Sequence, residues 1–112
     1  MTIKQLEKIC KKRNITLIGK SEIMTMDPEI ADAMGGGLAL LIRDAKAVLY
    51  NDEMPHDEQV KTIAHEVAHH ILGHLGLKNI TREAAEREAS IFAVSFMADT
   101  IHDEAKGGGD DG

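Results

Sequence analysis

Five consecutive residues carry the most specific chemistry in this chain: His65-Glu66-Val67-Ala68-His69. On an α-helix, at about 100° per residue, positions four apart lie roughly 40° apart on one face, so both imidazoles reach a single ion. Two neutral ring nitrogens at one point suit zinc. Glu66 is turned about 100° away from His65, outside the ligand pair but close enough to serve as a general base towards water at the metal. Chance alone would give this pattern roughly 0.03 times in a chain of this composition, so the surrounding elements have to support it.

They do so in two places. Pro55 with Asp57 and Glu58 starts a helix that Gly73 and Gly76 can end, and Val60, Ile63, Ala64, Val67, Ala68, Ile71, Leu72 and Leu75 recur at helical spacing. Thr81 caps a further helix running to about Thr100, with the apolar row Ala85, Ala89, Phe92, Ala93, Phe96 and Met97. Glu86 falls within that row. A carboxylate on an apolar face costs several kcal/mol unless a cation lies opposite, and a metal held by His65 and His69 would be that cation. Two His, one Glu and a water make the open tetrahedral site of a hydrolytic zinc. The competing reading of Glu86 is a surface acid paired with Arg82; Glu83 and Glu88 are expected to be solvated.

The remaining histidines read differently. A third His on a metzincin pattern would fall at Leu75, so His74, about 100° off, is not expected as a ligand. His70 and His102 are expected to face solvent. Tyr50 and His56 are weak candidates for a donor to a developing oxyanion.

The rest of the chain must position these groups. With 112 residues, 43% hydrophobic and 29% charged, one domain is expected over residues 1–103, followed by a disordered acidic Gly/Asp tail at 104–112. A net charge of −6 argues against direct nucleic-acid binding, with Lys11-Lys12-Arg13 read as the C-terminal end of a helix. One cysteine, Cys10, excludes an internal disulfide, and no apolar run is long enough to span a bilayer or make a signal peptide, so a soluble cytoplasmic protein is expected.

Thr2 and Gln5 form a capping box ahead of Ile3, Leu6, Ile9 and Cys10, predicting a first helix. Ile15 to Ile18 predicts a short strand ending at Gly19, and Asp27-Pro28 begins a short helix over Glu29 to Met34. Gly35-Gly36-Gly37 reads as a hinge or turn. Leu38 to Ile42 and Ala47 to Tyr50 read as a β-hairpin around a four-residue turn at Arg43 to Lys46. Such a hairpin either completes the core or offers an edge that takes up an extended peptide. The expected fold is α+β: a minimal zincin-like domain with three main helices on a small sheet and His65 to His69 on the central one.

Residues Gly35 to Asp99 resemble the ImmA/IrrE-type family of zinc metallopeptidases, on the segments LYNDEMPHDEQVKTIAHEVAHHILGH and EREASIFAVSFMAD. The resemblance implies His65, His69 and Glu86 as ligands of one zinc ion and Glu66 as catalytic base. It also marks Ser90, where relatives carry an acid or amide, as a position that orients a ligand His. By the same resemblance the substrate is a protein, such as the helix-turn-helix repressor of a phage or mobile element, carried on a separate chain. The alternative is a zinc-binding protein without peptidase activity that regulates by binding its partner.

Overall fold

The computed structural model describes the backbone of all residues but 77, 78 and 112, and the side chains of all but 76–78 and 98–112. The described residues form α1 (Ile3–Lys12), β1 (Ile15–Gly19), α2 (Lys20–Met26), α3 (Pro28–Ala33), β2 (Gly37–Ile42), β3 (Ala45–Tyr50), α4 (His56–Ile71) and α5 (Arg82–Asp111), with a 3-10 turn at His74–Gly76. The architecture is α+β, as the sequence pattern implies, and the segment before the triple glycine adds two short helices to the three long ones.

Local chemistry sets the element boundaries. Thr2 and Gln5 close the capping box on α1, and Asn14 ends its trailing turn in the left-handed region at φ 58°. Asp27 accepts from the Ile30 N–H, and Pro28 occupies the first turn of α3. Pro55 precedes α4, and Gly73, at φ 72°, follows it in the conformation that ends helices most cheaply for glycine. Thr81 caps α5 by accepting from the Ala84 N–H. The helical backbone of α5 continues to Asp111, past the end expected near Thr100. The expected domain limit at 103 and the acidic stretch after it fall where no side chain is described.

The sheet has the order β1-β3-β2, with β3 central, parallel to β1 and antiparallel to β2. Alternation along the strands divides the core in two. Ile15, Leu17 and Val48 face α1, α4 and α5, meeting Leu6, Cys10, Ile63, Ala64, Val67, Ala89 and Ala93; Ile18, Leu40 and Leu49 face the other way, onto Ile23, Ala31 and Met34. Ile63 and Val67 are fully buried, worth about 1.5–3 kcal/mol each. They anchor α4 between the sheet and α5, and that fixes which face of α4 carries the histidines.

The β2–β3 turn is shorter than the sequence pattern implies. Ile42 pairs with Ala45 and Leu41 with Lys46, so only Arg43 and Asp44 form the loop. Both have positive φ, 51° and 69°, the mark of a type I′ turn, whose twist matches that of the strands. Pairing continues through Ala45 and Lys46 because that twist allows it.

Cys10 is a free thiol, 1% exposed, and burial followed by the neighbouring Glu7 carboxylate pushes its pKa up to about 11. Iodoacetamide at pH 8 is therefore expected to leave Cys10 unmodified in the folded protein and to alkylate it in denaturant, checked by intact mass. Because the folded-state pKa is raised, this group's contribution to stability is complete below about pH 9 and is lost as pH rises through about 11.

Candidate metal centre

The site is assembled where α4 and α5 cross. Ala89 and Ala93 are buried in that contact, and their small side chains let the helices approach closely. One turn earlier on α5, Glu86 projects over α4. His65 and His69 meet it there, their rings 4.9 Å apart and nearly perpendicular. His65 Nε2 lies 2.7 Å from Glu86 Oε2, and His69 Nε2 lies 3.3 Å from Glu86 Oε1. The ligand atoms of His65, His69 and Glu86 all fall within 4.8 Å of one another.

This donor set fits a metal ion. Two imidazole nitrogens and a carboxylate oxygen suit zinc, and tetrahedral bonds of about 2.0–2.1 Å set ligand atoms about 3.3 Å apart. The spacing of His69 and Glu86 has that value, whereas His65 Nε2 stands at hydrogen-bonding distance, 2.7 Å, from the other Glu86 oxygen.

The carboxylates differ in environment. Burial raises the pKa of Glu66; the charge of His65 and a hydrogen bond from the Ala39 N–H oppose this, and the charge of Glu86 reinforces it. A carboxyl with raised proton affinity is suited to taking and returning a proton. Burial would also raise Glu86, but the hydrogen bond from His65 and the charges of His69, His65 and Arg82 together hold it below the usual value. Burial lowers His69, favouring the neutral ring a ligand requires. The Glu86 side chain is 51% exposed, so the cost of a carboxylate on an apolar face is not what brings it here. The crossing of α4 and α5 does that.

Gly37 brings the start of β2 against α4. A Cβ at this position would collide with Thr62 Cγ2 and stand 3.4 Å from Glu66 Cγ. Of the three glycines expected as a hinge, only Gly35 is left-handed, at φ 64°, whereas Gly37 is a strand residue in a close approach. Beside Glu66 runs an open groove of about 340 Å³, lined by Gly36, Gly37, Lys61, Thr62, His65 and Glu66. Asn51 donates its N–H to the Gly36 carbonyl, and the pairing alternates from there, so the backbone groups of Gly37, Ala39 and Leu41 face away from β3, towards the free edge. The Ala39 N–H faces the Glu66 carboxylate.

Several expectations are corrected. His70 is buried, not solvent-facing: its Nε2 is 2.7 Å from the Ala47 carbonyl oxygen on β3 and donates to it. Burial lowers its pKa. His74 lies past the end of α4, on the 3-10 turn, so its helical rotation does not apply; it is buried and its Nδ1 is 2.9 Å from His69 Nδ1. Glu88, expected to be merely solvated, accepts from His74 Nε2 at 2.8 Å. The lone sequence signal for this chain was His74 itself, a second His beside the motif. Ser90 Oγ is 3.4 Å from His65 Nδ1, at the limit of hydrogen-bonding distance. Neither weak oxyanion candidate lines the groove: Tyr50 lines a separate cavity with Glu7, Cys10, Ile15 and Leu17, and His56, beside Asp57, lies about 13 Å along α4 from His65. The side chain of His102 lies outside the described residues.

No helix among the described residues is long and apolar enough to cross a membrane. No curated protein and no solved structure matches the chain significantly. The model of the IrrE N-terminal-like domain, peptidase family M78, matches residues 18–109, which takes in β2, β3, His65 to His69 and Glu86. A match over most of the chain places a metallopeptidase-like domain on the fold just described, and the chain belongs to the IrrE N-terminal-like family.

Proposed function

We propose that this protein is a zinc-dependent endopeptidase that cleaves a partner protein, with His65, His69 and Glu86 holding one zinc ion and Glu66 as the general base. The observation that carries the reading is the convergence of the three ligand atoms beside a half-buried Glu66 of raised proton affinity, at the free edge of a strand. Zinc, when bound, supplies an activated water and polarises a carbonyl. The chain supplies the rest. The outward backbone groups of Gly37 and Leu41 and the Ala39 carbonyl are placed to pair with an extended substrate strand along β2, which gives affinity through main-chain bonds and little sequence preference. Glu66 lines the groove with the Ala39 N–H beside its carboxylate. Glu66 takes a proton from the attacking water and returns it to the leaving amine.

A helix-turn-helix repressor of a phage or mobile element is the proposed substrate, acting on the same cytoplasmic side as this protein. Co-incubation of zinc-loaded protein with a candidate helix-turn-helix repressor, followed by intact-mass spectrometry, is expected to give two fragments from a single cut. A repressor that is neither bound nor cut overturns the proposal. A second reading, a zinc protein that regulates by binding alone, is favoured by the long neutral contact from Ser90 to His65, which orients that ligand weakly. In that case the repressor binds and stays intact.

A further inference from the structure

Three groups outside the ligand set stand in line behind His69. His69 Nδ1 is 2.9 Å from His74 Nδ1, and His74 Nε2 is 2.8 Å from Glu88 Oε1. The His74 side chain is 4% exposed and that of Glu88 58%, so the line runs from the buried ligand out to the surface.

With both rings neutral, hydrogen-bond chemistry fixes the direction of the line. An ionised carboxylate only accepts, so the proton of His74 lies on Nε2 and its Nδ1 carries a lone pair. That lone pair requires a proton on His69 Nδ1. A neutral His69 then presents a bare Nε2, and this atom faces Glu86 Oε1 at 3.3 Å. Two acceptors facing each other are favourable only with a cation between them. The line therefore sets His69 in the one tautomer that can bind a metal through Nε2.

We infer that His74 and Glu88 are positioning residues that fix the tautomer and ring orientation of His69 for metal binding. The inference rests on the metal reading above. Among the described residues His65 Nδ1 has only the distant Ser90 hydroxyl behind it, so His69 is the better oriented of the two His ligands. Glu88 acts through His74 and touches neither the substrate nor the metal.

The test is zinc affinity, measured by competition with a chromophoric chelator, together with the visible absorption of the cobalt-substituted protein, which reports ligand geometry. Glu88→Ala is expected to weaken zinc binding about 10-fold and to change the cobalt spectrum, as loss of an outer partner of a ligand His does. Glu88→Gln, which keeps an accepting oxygen, is expected to recover most of the affinity. Because Glu88 is mostly exposed, the metal-free proteins should melt together, which separates positioning from a general loss of stability. His74→Asn serves as a second variant, with a loss at least as large as that of Glu88→Ala. Parental affinity and an unchanged spectrum in Glu88→Ala overturn the inference alone. A parent that binds no zinc overturns it together with the metal reading.

Discussion

Glu66→Gln is expected to lower the rate of substrate cleavage about 10²- to 10⁴-fold while leaving zinc content intact. The amide matches the carboxylate in shape and keeps an oxygen for the Ala39 N–H, but it cannot take a proton from water. Glu66 stands outside the ligand group, so the metal should be retained. Stability should hold or rise. Burial disfavours the ionised form of Glu66, and a neutral side chain removes that cost at pH 7. Fragment yield by mass spectrometry, zinc content and a thermal melt measured on one preparation check all three expectations. Undiminished cleavage would remove Glu66 from the chemistry, and a variant that still relieves repression without cutting would favour the binding regulator.

Glu86→Ala is expected to reduce the bound zinc from about one equivalent to a small fraction. Measured by inductively coupled plasma mass spectrometry, this separates a designed site from a coincidental His pair on one helix. Glu86 is the cleanest of the three proposed ligands to remove, because its side chain is half exposed and its loss opens no core cavity, whereas His69 is nearly buried. Zinc at a hundred times its Kd stabilises the folded state by about 2.7 kcal/mol through mass action. For a domain of this size that corresponds to a Tm shift of roughly 10 °C or more. A chelator should therefore lower the Tm of the parent by that amount and barely move Glu86→Ala, bringing the two close together. A well-folded parent without metal, and with a Tm indifferent to chelator, would leave a metal-free interaction domain.

How these residues came to be legible differs from one to the next. His65 and His69 could be placed from spacing alone, because the helical period acts over four residues and needs no knowledge of the rest of the fold. The capping box at Thr2 and Gln5, the Asp27-Pro28 start and the Thr81 cap are equally local, each a side chain satisfying backbone groups within three residues. Glu86 does lie beside His65 and His69, but partly for another reason than the expected one: the apolar row of α5 located it, whereas its half-exposed side chain avoids the burial cost that singled it out.

What the sequence determined, then, is whatever short-range periodicity and capping dictate: an α+β chain, the motif helix, the following helix and the residues on their shared side. Tertiary structure decided the rest, because each remaining contact joins positions whose separation carries no period. The hydrogen bond from His70 to Ala47 depends on how α4 lies across β3. The approach of the Ala39 N–H to Glu66 depends on Gly37 permitting β2 to come close to α4. The line from Glu88 through His74 to His69 requires the turn after α4 to bring one side chain against both α4 and α5, which no local rule fixes.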